Sequence, residues 1–276
     1  MYINCKGHLI DLSRPKIMGI LNVTPDSFYD GGNYHSDSDI LNQVEKMLSE
    51  GATFIDIGAY SSRPNAEHIS EKEELSRLIP VIRKLIQEFP EIIISVDTFR
   101  SRIAQKAIAA GAGLINDISG GELDEDMFET ISKLQVPYII MHMVGTPQNM
   151  QKNVHYDDLV KDIIYYFSKK IFKLRQLGVN DLIIDPGFGF SKTLDQNYEL
   201  LQKLDLFNTF KLPVLAGLSR KSMLYKLVDT DAKNALNATS IANTIALNKG
   251  AGILRVHDVK EANEVVKIFE KMNQWE

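Results

Sequence analysis

Two side chains near the end of the chain could bind one anion together. The stretch RVHDVKE begins at Arg255 and places His257 two positions later, at the end of an apolar run. Successive side chains of an extended strand point to opposite faces, so a strand here would direct Arg255 and His257 to the same side. A guanidinium and an imidazole at one strand tip suit a phosphate or a carboxylate. The spacing therefore predicts an anion site.

Polar side chains also end most of the other apolar runs. The run ends carry Asn22, Asp56, Asp97, Asn116 with Asp117, Met141 with His142, Asp185, Lys221 shortly after the seventh run, and Arg255 with His257. Capping of helices and turns explains a single case such as Asp117. It does not explain eight ends together, because a carboxylate at the end of a buried strand needs a partner or loses hydration energy. These residues are therefore candidates for a shared site.

The elements that must position these residues alternate between two kinds. Near-continuous apolar runs predict strands over 16–21, 54–58, 92–97, 113–117, 137–142, 181–185, 212–217 and 252–256, with amphipathic helices over 37–50, 71–88, 100–110, 124–135, 157–177, 192–203, 233–249 and 258–272. Eight such βα units predict an α/β fold, a (β/α)8 TIM barrel, whose site lies at the C-terminal ends of the strands.

The rest of the chain adds three expectations about the fold. INCKGHLID, residues 3–11, predicts a short N-terminal β-hairpin that closes the floor of the barrel. No linker or change of composition divides the chain, so residues 1–276 are expected to form a single domain. An open doubly wound sheet is the weaker alternative, because no G-x-G-x-x-G follows the first strand.

Composition limits the class of partner. The chain of 276 residues is 44% hydrophobic and 24% charged with a net charge of −5, so it should fold into a globular core, and no electrostatic footprint for nucleic acid is visible. The one cysteine, Cys5, excludes an internal disulfide and favours a reducing cytoplasm. No apolar run approaches the ~20 residues of a membrane span, and no export signal opens the sequence.

Four segments rich in Gly, Pro or Ser follow the predicted strands. GILNVTPDSFYDGG (19–32) and GAYSSRPNA (58–66) are either connectors or loops that close on a substrate. In IDPGFGFSK (184–192), Phe188 and Phe190 are either core aromatics or a wall for a flat ligand. GLSRKS (217–222) precedes a helix whose first amide groups favour an anion.

Seven short motifs together resemble one enzyme family. GILNVTPDSF, SSRP, SVDT, INDISGG, DPGFGF, GLSRKS and RVHDV occur in this order over almost the whole chain and resemble the dihydropteroate synthases. That family joins para-aminobenzoate to 6-hydroxymethyl-7,8-dihydropterin pyrophosphate, giving 7,8-dihydropteroate and pyrophosphate in folate biosynthesis. The resemblance implies a transferase, the target of sulfonamides, that tends to be a homodimer.

The resemblance also implies residue roles. The pterin would bind Asp97, Asn116, Met141, Asp185 and Lys221, and Asp97 would stabilise a carbocation that develops at the pterin methylene. Asp97, Lys221, Arg255 and His257 would be catalytic. The remaining sets are Asn22, Arg63, Arg255 and His257 for the pyrophosphate; Asn22 for its Mg²⁺; and Phe28, Ser62, Arg63, Pro64, Phe190, Lys221 and Ser222 for para-aminobenzoate.

Two departures and two rival functions accompany the resemblance. The second loop has Tyr60 and Ser62 where the family commonly has glutamate and threonine, which changes the detail of that loop rather than the reaction. A pterin-binding methyltransferase would hold no pyrophosphate, and a catalytically silent pterin-binding barrel would be expected to lack some of the charged groups. The presence of Arg63, Lys221 and the Arg255–His257 pair argues against both.

Overall fold

The fold is built from eight parallel strands that alternate with helices. The computed structural model describes residues 1–23, 29–30, 33–34, 37–60, 68–150 and 154–275. Its strands are β1 (Tyr2–Cys5), β2 (His8–Asp11), β3 (Lys16–Asn22), β4 (Tyr29–Asp30), β5 (Asn33–Tyr34), β6 (Phe54–Gly58), β7 (Ile94–Asp97), β8 (Leu114–Asp117), β9 (Tyr138–Met141), β10 (Leu182–Asp185), β11 (Leu215–Ala216) and β12 (Ile253–Val256).

The parallel strands close into a barrel. Their order is β10-β9-β8-β7-β6-β3-β12-β11, and every neighbouring pair in it is parallel. An isolated parallel bridge between Ile184 and Val214 joins the two ends. The prediction of a TIM barrel is confirmed. The seventh strand is shorter than predicted, since Pro213 has no N–H to donate, although its carbonyl accepts a hydrogen bond from the Ile184 amide at 3.0 Å.

The helices lie between successive strands. They are α1 (Asp37–Ser49), α2 (Glu71–Glu88), α3 (Ser101–Ala110), α4 (Met127–Leu134), α5 (Leu159–Gln176), α6 (Leu194–Gln202), α7 (Ser222–Leu227), α8 (Leu236–Asn248) and α9 (Val259–Met272). The sequence sets several of their starts: Ser70 and Asp158 cap α2 and α5, and Thr193 with Gln196 forms a capping box on α6. No helix of the described ranges is long and apolar enough to cross a bilayer.

The N-terminal hairpin closes one end of the barrel, as predicted. β1 and β2 pair in antiparallel register, and Ile3 and Cys5 pack into the apolar cluster formed by residues near the starts of the barrel strands. The Asn4 amide donates to an Asp181 carboxylate oxygen at 3.0 Å. With the floor covered in this way, the opposite end, where the strands terminate, is the end open to a ligand.

Candidate active site

Polar side chains from four strands meet at the C-terminal end of the barrel. Arg255 on β12 donates from Nε to Oδ2 of Asp56 at 2.6 Å and from Nη2 to Oδ2 of Asp97 at 2.9 Å. Asn116 donates from Nδ2 to the same Asp56 oxygen at 3.0 Å. One guanidinium therefore lies between two carboxylates, and β6, β7, β8 and β12 are joined by a single polar network.

Asp56 is the buried centre of this network. The sequence identified it as a polar residue at a strand end but did not indicate its role. The residue is fully buried. Its Oδ2 accepts both contacts just described, whereas its Oδ1 has no hydrogen-bond partner among the residues that the structure describes. An unpaired buried carboxylate oxygen is costly, and such groups concentrate at functional sites. Asp56 thus fixes the positions of the Arg255 and Asn116 side chains by accepting a hydrogen bond from each.

Asp97 combines a buried position with a shared counter-ion. Loss of hydration raises the pKa of its carboxyl to about 7; the Arg255 guanidinium opposes this rise, and the nearby Asp56 carboxylate adds to it. The side chain keeps 17% of its surface exposed, so it can still contact a ligand. A carboxyl group that titrates near neutral pH and sits at a strand end is a candidate for charge stabilisation.

Asp185 and Lys221 form the second charged group of the site. Burial lowers the pKa of Lys221 to about 8, with Asp185 opposing the shift and Arg255 adding to it. Burial raises the pKa of Asp185, while Lys221 and the Gly187 amide, which donates to Asp185 Oδ1 at 2.8 Å, act against this. A Cβ at Gly217 would lie 3.9 Å from Lys221 Nζ and 4.0 Å from Asp185 Oδ2, so this glycine borders both groups.

The loop after β10 supplies an aromatic surface beside Lys221. The Lys221 ammonium donates to the Phe188 carbonyl and lies 4.7 Å from the centre of the Phe190 ring. Phe188 is fully buried, whereas Phe190 is partly exposed. Of the two readings of these phenylalanines, Phe188 is a core aromatic and Phe190 is available as a wall for a flat ligand.

Arg255 and His257 make separate protein contacts. The Arg255 guanidinium binds two carboxylates, and His257, which is exposed, has its Nδ1 3.1 Å from Ser219 Oγ. The next residue, Asp258, accepts two hydrogen bonds from Arg220, at 2.8 and 2.7 Å. These contacts tie the end of β12 to the segment before α7. An anion bound by Arg255 and His257 together stays a prediction.

The other predicted site residues are distributed as follows. Met141 is buried in an upper apolar cluster with Tyr60, Ile69, Phe99, Ile118, Met143 and Met150. Asn22 ends β3, half-buried and paired in register with Gly58. Ser222 is the exposed first residue of α7. Phe28, Ser62, Arg63 and Pro64 lie outside the described residues.

Tyr60, the departure in the second loop, is held by a polar network. Its hydroxyl lies 3.1 Å from His68 Nδ1 and accepts a hydrogen bond from Gln148 Nε2 at 2.5 Å. Its ring packs edge-on against Phe99, with 5.0 Å between the ring centres. A tyrosine here therefore joins the residues before and after 61–67 and connects them to the loop after β9.

A resident metal would depend on few protein ligands. Within the described part of the chain, no group of three or more His, Cys, Asp or Glu side chains is arranged to hold an ion. Mg²⁺ is commonly held by one or two protein oxygens together with substrate phosphates and water. The amide oxygen of Asn22, at the open end of the barrel, is compatible with this type of site.

Comparisons with known proteins assign the fold and site to a class. The chain matches the family described as "Pterin binding enzyme" over residues 18–257. It is 44% identical over 272 residues to the dihydropteroate synthase of Haemophilus influenzae, covering 98% of each chain. A Yersinia pestis dihydropteroate synthase in complex with a sulfonamide drug superposes with a TM-score of 0.93 at 43% identity, covering 99% of this chain and 100% of that one.

A second solved structure contains 4-aminobenzoic acid. The Xanthomonas albilineans dihydropteroate synthase with 4-aminobenzoic acid superposes with a TM-score of 0.92 at 36% identity, covering 99% of this chain and 98% of that chain. A TIM barrel with this site and these relatives is a pterin-binding enzyme. Within that class, the chain belongs to the dihydropteroate synthase family, transferases of folate synthesis.

Proposed function

We propose that the polar network at the barrel mouth carries out the family reaction, the joining of para-aminobenzoate to 6-hydroxymethyl-7,8-dihydropterin pyrophosphate. The observation that supports this most strongly is the Arg255 guanidinium between Asp56 and Asp97, beside Asn116. It provides a buried, hydrogen-bonded edge together with a carboxyl group whose pKa is about 7. A scaffold barrel would have no need of such a costly arrangement.

The pterin would bind across the strand ends. Its amidine-like edge offers donors to Asp97 and Asp185, and Asn116 can both donate and accept. Lys221 would donate to the ring carbonyl, and Met141 would form the apolar floor. This assignment is supported by the burial of Asn116, Met141 and Asp185, of which 3%, 3% and 6% remain exposed.

The pyrophosphate would lie toward Arg255, His257 and Arg63. Arg255 can supply further N–H groups, because a guanidinium carries five and its carboxylate contacts use two. Mg²⁺, held by Asn22 together with the pyrophosphate oxygens, would neutralise negative charge on the leaving group. The recurrence of phosphate sites after strands seven and eight of TIM barrels supports this location.

The reaction would proceed by displacement at the pterin methylene. The bond from the methylene carbon to the pyrophosphate oxygen breaks, and its electron pair leaves with the pyrophosphate. Positive charge then develops on the methylene and pterin ring, where the ionised Asp97 stabilises it. The amino nitrogen of para-aminobenzoate forms the new bond, and the proton it loses passes to solvent water. No strong base is required, since an arylamine is largely neutral at pH 7.

Para-aminobenzoate would occupy the space beside the Phe190 ring and the Lys221 stem, with its carboxylate toward Ser222. Phe28, Ser62, Arg63 and Pro64 complete this proposed pocket. The bound 4-aminobenzoic acid of the Xanthomonas albilineans enzyme supports a site for this compound. Since sulfonamides resemble para-aminobenzoate, they are expected to compete for the same pocket, in line with the Yersinia pestis complex.

One assay distinguishes this function from its alternatives. Pyrophosphate release is measured with the pterin pyrophosphate alone, with para-aminobenzoate alone and with both. We expect release that requires both compounds and yields one dihydropteroate for each pyrophosphate. A methyltransferase or a silent pterin-binding barrel would release none. The Lys221→Met variant serves as the control, because it removes an ammonium from between the two proposed substrates.

We expect the affinity for para-aminobenzoate to increase by about tenfold or more when Mg²⁺ and pyrophosphate are present. Arg63, proposed to bind pyrophosphate, is flanked in the chain by Ser62 and Pro64, proposed to bind aminobenzoate. Binding that fixes one of these residues lowers the cost of fixing its neighbours. Titration calorimetry with and without Mg²⁺-pyrophosphate measures the difference. Equal affinities would refute the coupling, and sulfate in place of pyrophosphate controls for ionic strength.

The expected homodimer stays a prediction, as do the single domain over 1–276 and the cytoplasmic location. A homodimer would have twice the 31.1 kDa mass of the chain. Light scattering coupled to size-exclusion chromatography measures this mass directly. A monomer that persists at micromolar concentration would contradict the prediction.

A further inference from the structure

Lys192 is a buried lysine beneath the loop that follows β10. Only 3% of the residue is exposed. Its Nζ lies 2.9 Å from the Gly187 carbonyl oxygen, 3.0 Å from the Phe190 carbonyl oxygen and 3.1 Å from His142 Nδ1. An ammonium group has three N–H donors, and here each has an acceptor. The charge is thus buried only because the surrounding groups are arranged to receive it.

The loop over residues 187–190 is held from two sides by two lysines. Lys192 binds the carbonyls at its first and last positions, and Lys221 donates to the Phe188 carbonyl between them. The loop amide at Gly189 donates to Asn197 Oδ1 at 2.6 Å. The backbone that carries the Phe190 ring is therefore fixed by side chains rather than by neighbouring strands.

The same loop lies in close contact with the end of β9. Gly187 has a φ of +74°, and a Cβ at this position would lie 2.1 Å from the His142 carbonyl oxygen. Only glycine allows this approach. His142 is buried and packs edge-on against Tyr166, with 4.8 Å between the ring centres. The contact between Lys192 and His142 therefore joins the loop after β10 to the end of β9.

We propose that Lys192 is a positioning residue for para-aminobenzoate. By binding the Gly187 and Phe190 carbonyls it sets where the Phe190 ring lies, and Phe190 with Lys221 forms one side of the proposed pocket. The inference rests on that proposed pocket. Lys192 touches neither proposed substrate, so its effect reaches them through the loop.

The hydrogen bonds of Lys192 are available in both of its charge states. Burial lowers its pKa to about 7, with Asp185 opposing the shift and Lys221 adding to it, and burial also lowers the pKa of His142 well below its usual value. The ammonium donates to both carbonyls and to Nδ1 of the neutral imidazole. The neutral amine keeps both carbonyl contacts and accepts from Nδ1–H of the other imidazole tautomer. The loop is thus held across neutral pH.

Steady-state kinetics of Lys192→Met test the proposal. Methionine has a similar length but donates no hydrogen bond, so we expect the KM for para-aminobenzoate to rise about tenfold or more. The KM for the pterin pyrophosphate should rise much less. Lys203→Met is the matched control: α6 begins just after Lys192 and ends just before Lys203, and the Lys203 ammonium donates to the partly exposed Glu199 side chain of that helix at 2.8 Å. It should leave both constants unchanged.

Two further variants make the outcome decisive. Phe190→Ala should also raise the KM for para-aminobenzoate, and an unchanged KM in this variant would show that the proposed pocket is wrong. If Phe190→Ala raises this KM but Lys192→Met does not, the role of Lys192 is refuted. Lys192→Ala removes the equivalent of n-propylamine, so added n-propylammonium should restore aminobenzoate binding in this variant and not in Phe190→Ala. A purely structural lysine would lower the melting temperature without this rescue.

Discussion

The Asp97→Asn variant should have a kcat at least about 100-fold below that of the unchanged enzyme. The amide keeps the shape of the side chain and can still accept the Arg255 hydrogen bond, which is 2.9 Å long in the present structure. It cannot supply negative charge to a cation that develops at the pterin methylene. Single-turnover measurements at saturating substrate report this step without contributions from product release.

The dependence of kcat/KM on pH supplies a second signature of Asp97. Its pKa of about 7 means that the carboxyl is protonated, and unable to stabilise a cation, on the acid side of neutrality. We therefore expect kcat/KM for the pterin pyrophosphate, which reports ionisations of the free enzyme, to fall as the pH is lowered through about 7, and we expect this limb to be absent in Asp97→Asn. A profile with the same acid limb in both proteins would assign the ionisation to another group.

The contribution of Asp97 to the stability of the folded protein should decrease as the pH rises, whereas its contribution to activity should increase. The pKa of Asp97 is raised on folding from 3.8 to about 7, so the folded state holds a proton that the unfolded state has lost between these values. The contribution of Asp97 to stability is therefore present below about pH 4 and lost as the pH rises to about 7. Relative to the unchanged enzyme, Asp97→Asn should have its highest melting temperature at pH 8, where its activity relative to that enzyme is lowest.

Asp117→Asn is the matched control for these experiments. Asp117 ends the neighbouring strand β8 and is also buried with a raised pKa. Its carboxylate is occupied by the protein itself, accepting from the Tyr138 hydroxyl at 2.6 Å and from the Gly121 amide at 2.8 Å. We expect this variant to be less stable but to keep most of its kcat, whereas an equal loss of kcat in both variants would contradict a special role for Asp97.

The sequence was sufficient to predict the barrel and the end at which the polar residues meet. Short apolar runs buried on both faces, separated by amphipathic helices, have few other solutions. Parallel strands place all their C-terminal ends on one side, so Asp97, Asn116, Asp185 and Arg255 had to be near one another once the barrel was assumed. No knowledge of contacts was needed for that step.

Contacts between distant residues could not be read in the same way. Asp56 and Arg255 are 199 positions apart, and nothing local indicates that one guanidinium lies between Asp56 and Asp97. Lys192 ends the segment IDPGFGFSK, where its type suggests an exposed residue. Its burial depends on the Gly187 and Phe190 carbonyls, in a loop whose path requires a positive φ at Gly187 and Gly189. A glycine pair followed by a lysine is a weak signal that could have directed attention to this residue.

The Arg255→Met variant should lose both affinity and stability. A charge-assisted contact to phosphate contributes ~1.5 to 3 kcal/mol, so we expect binding of the pterin pyrophosphate to weaken by about 10- to 150-fold. Binding of the hydroxymethyl pterin, which has no phosphate, should weaken much less. Calorimetric titration with the two ligands measures this difference. Equal losses would show that Arg255 acts on the pterin through Asp97 and Asp56 and not on the pyrophosphate.

The stability of Arg255→Met separates the two functions of the guanidinium. Removing the cation leaves Asp56 and Asp97 buried without their counter-ion, which should lower the free energy of unfolding by ~3 kcal/mol at pH 8. The loss should be smaller at pH 5, because the Asp97 carboxyl, whose raised pKa is held down by the Arg255 guanidinium, can become neutral by taking up a proton once that cation is removed. Arg100→Met is the control: Arg100 pairs with buried Glu74 at 2.5 Å in the same half of the barrel. Arg100→Met should destabilise the protein but weaken binding of the two pterin ligands equally. A loss of affinity confined to the pterin pyrophosphate, and not a loss of stability, is therefore the result that assigns Arg255 to the pyrophosphate.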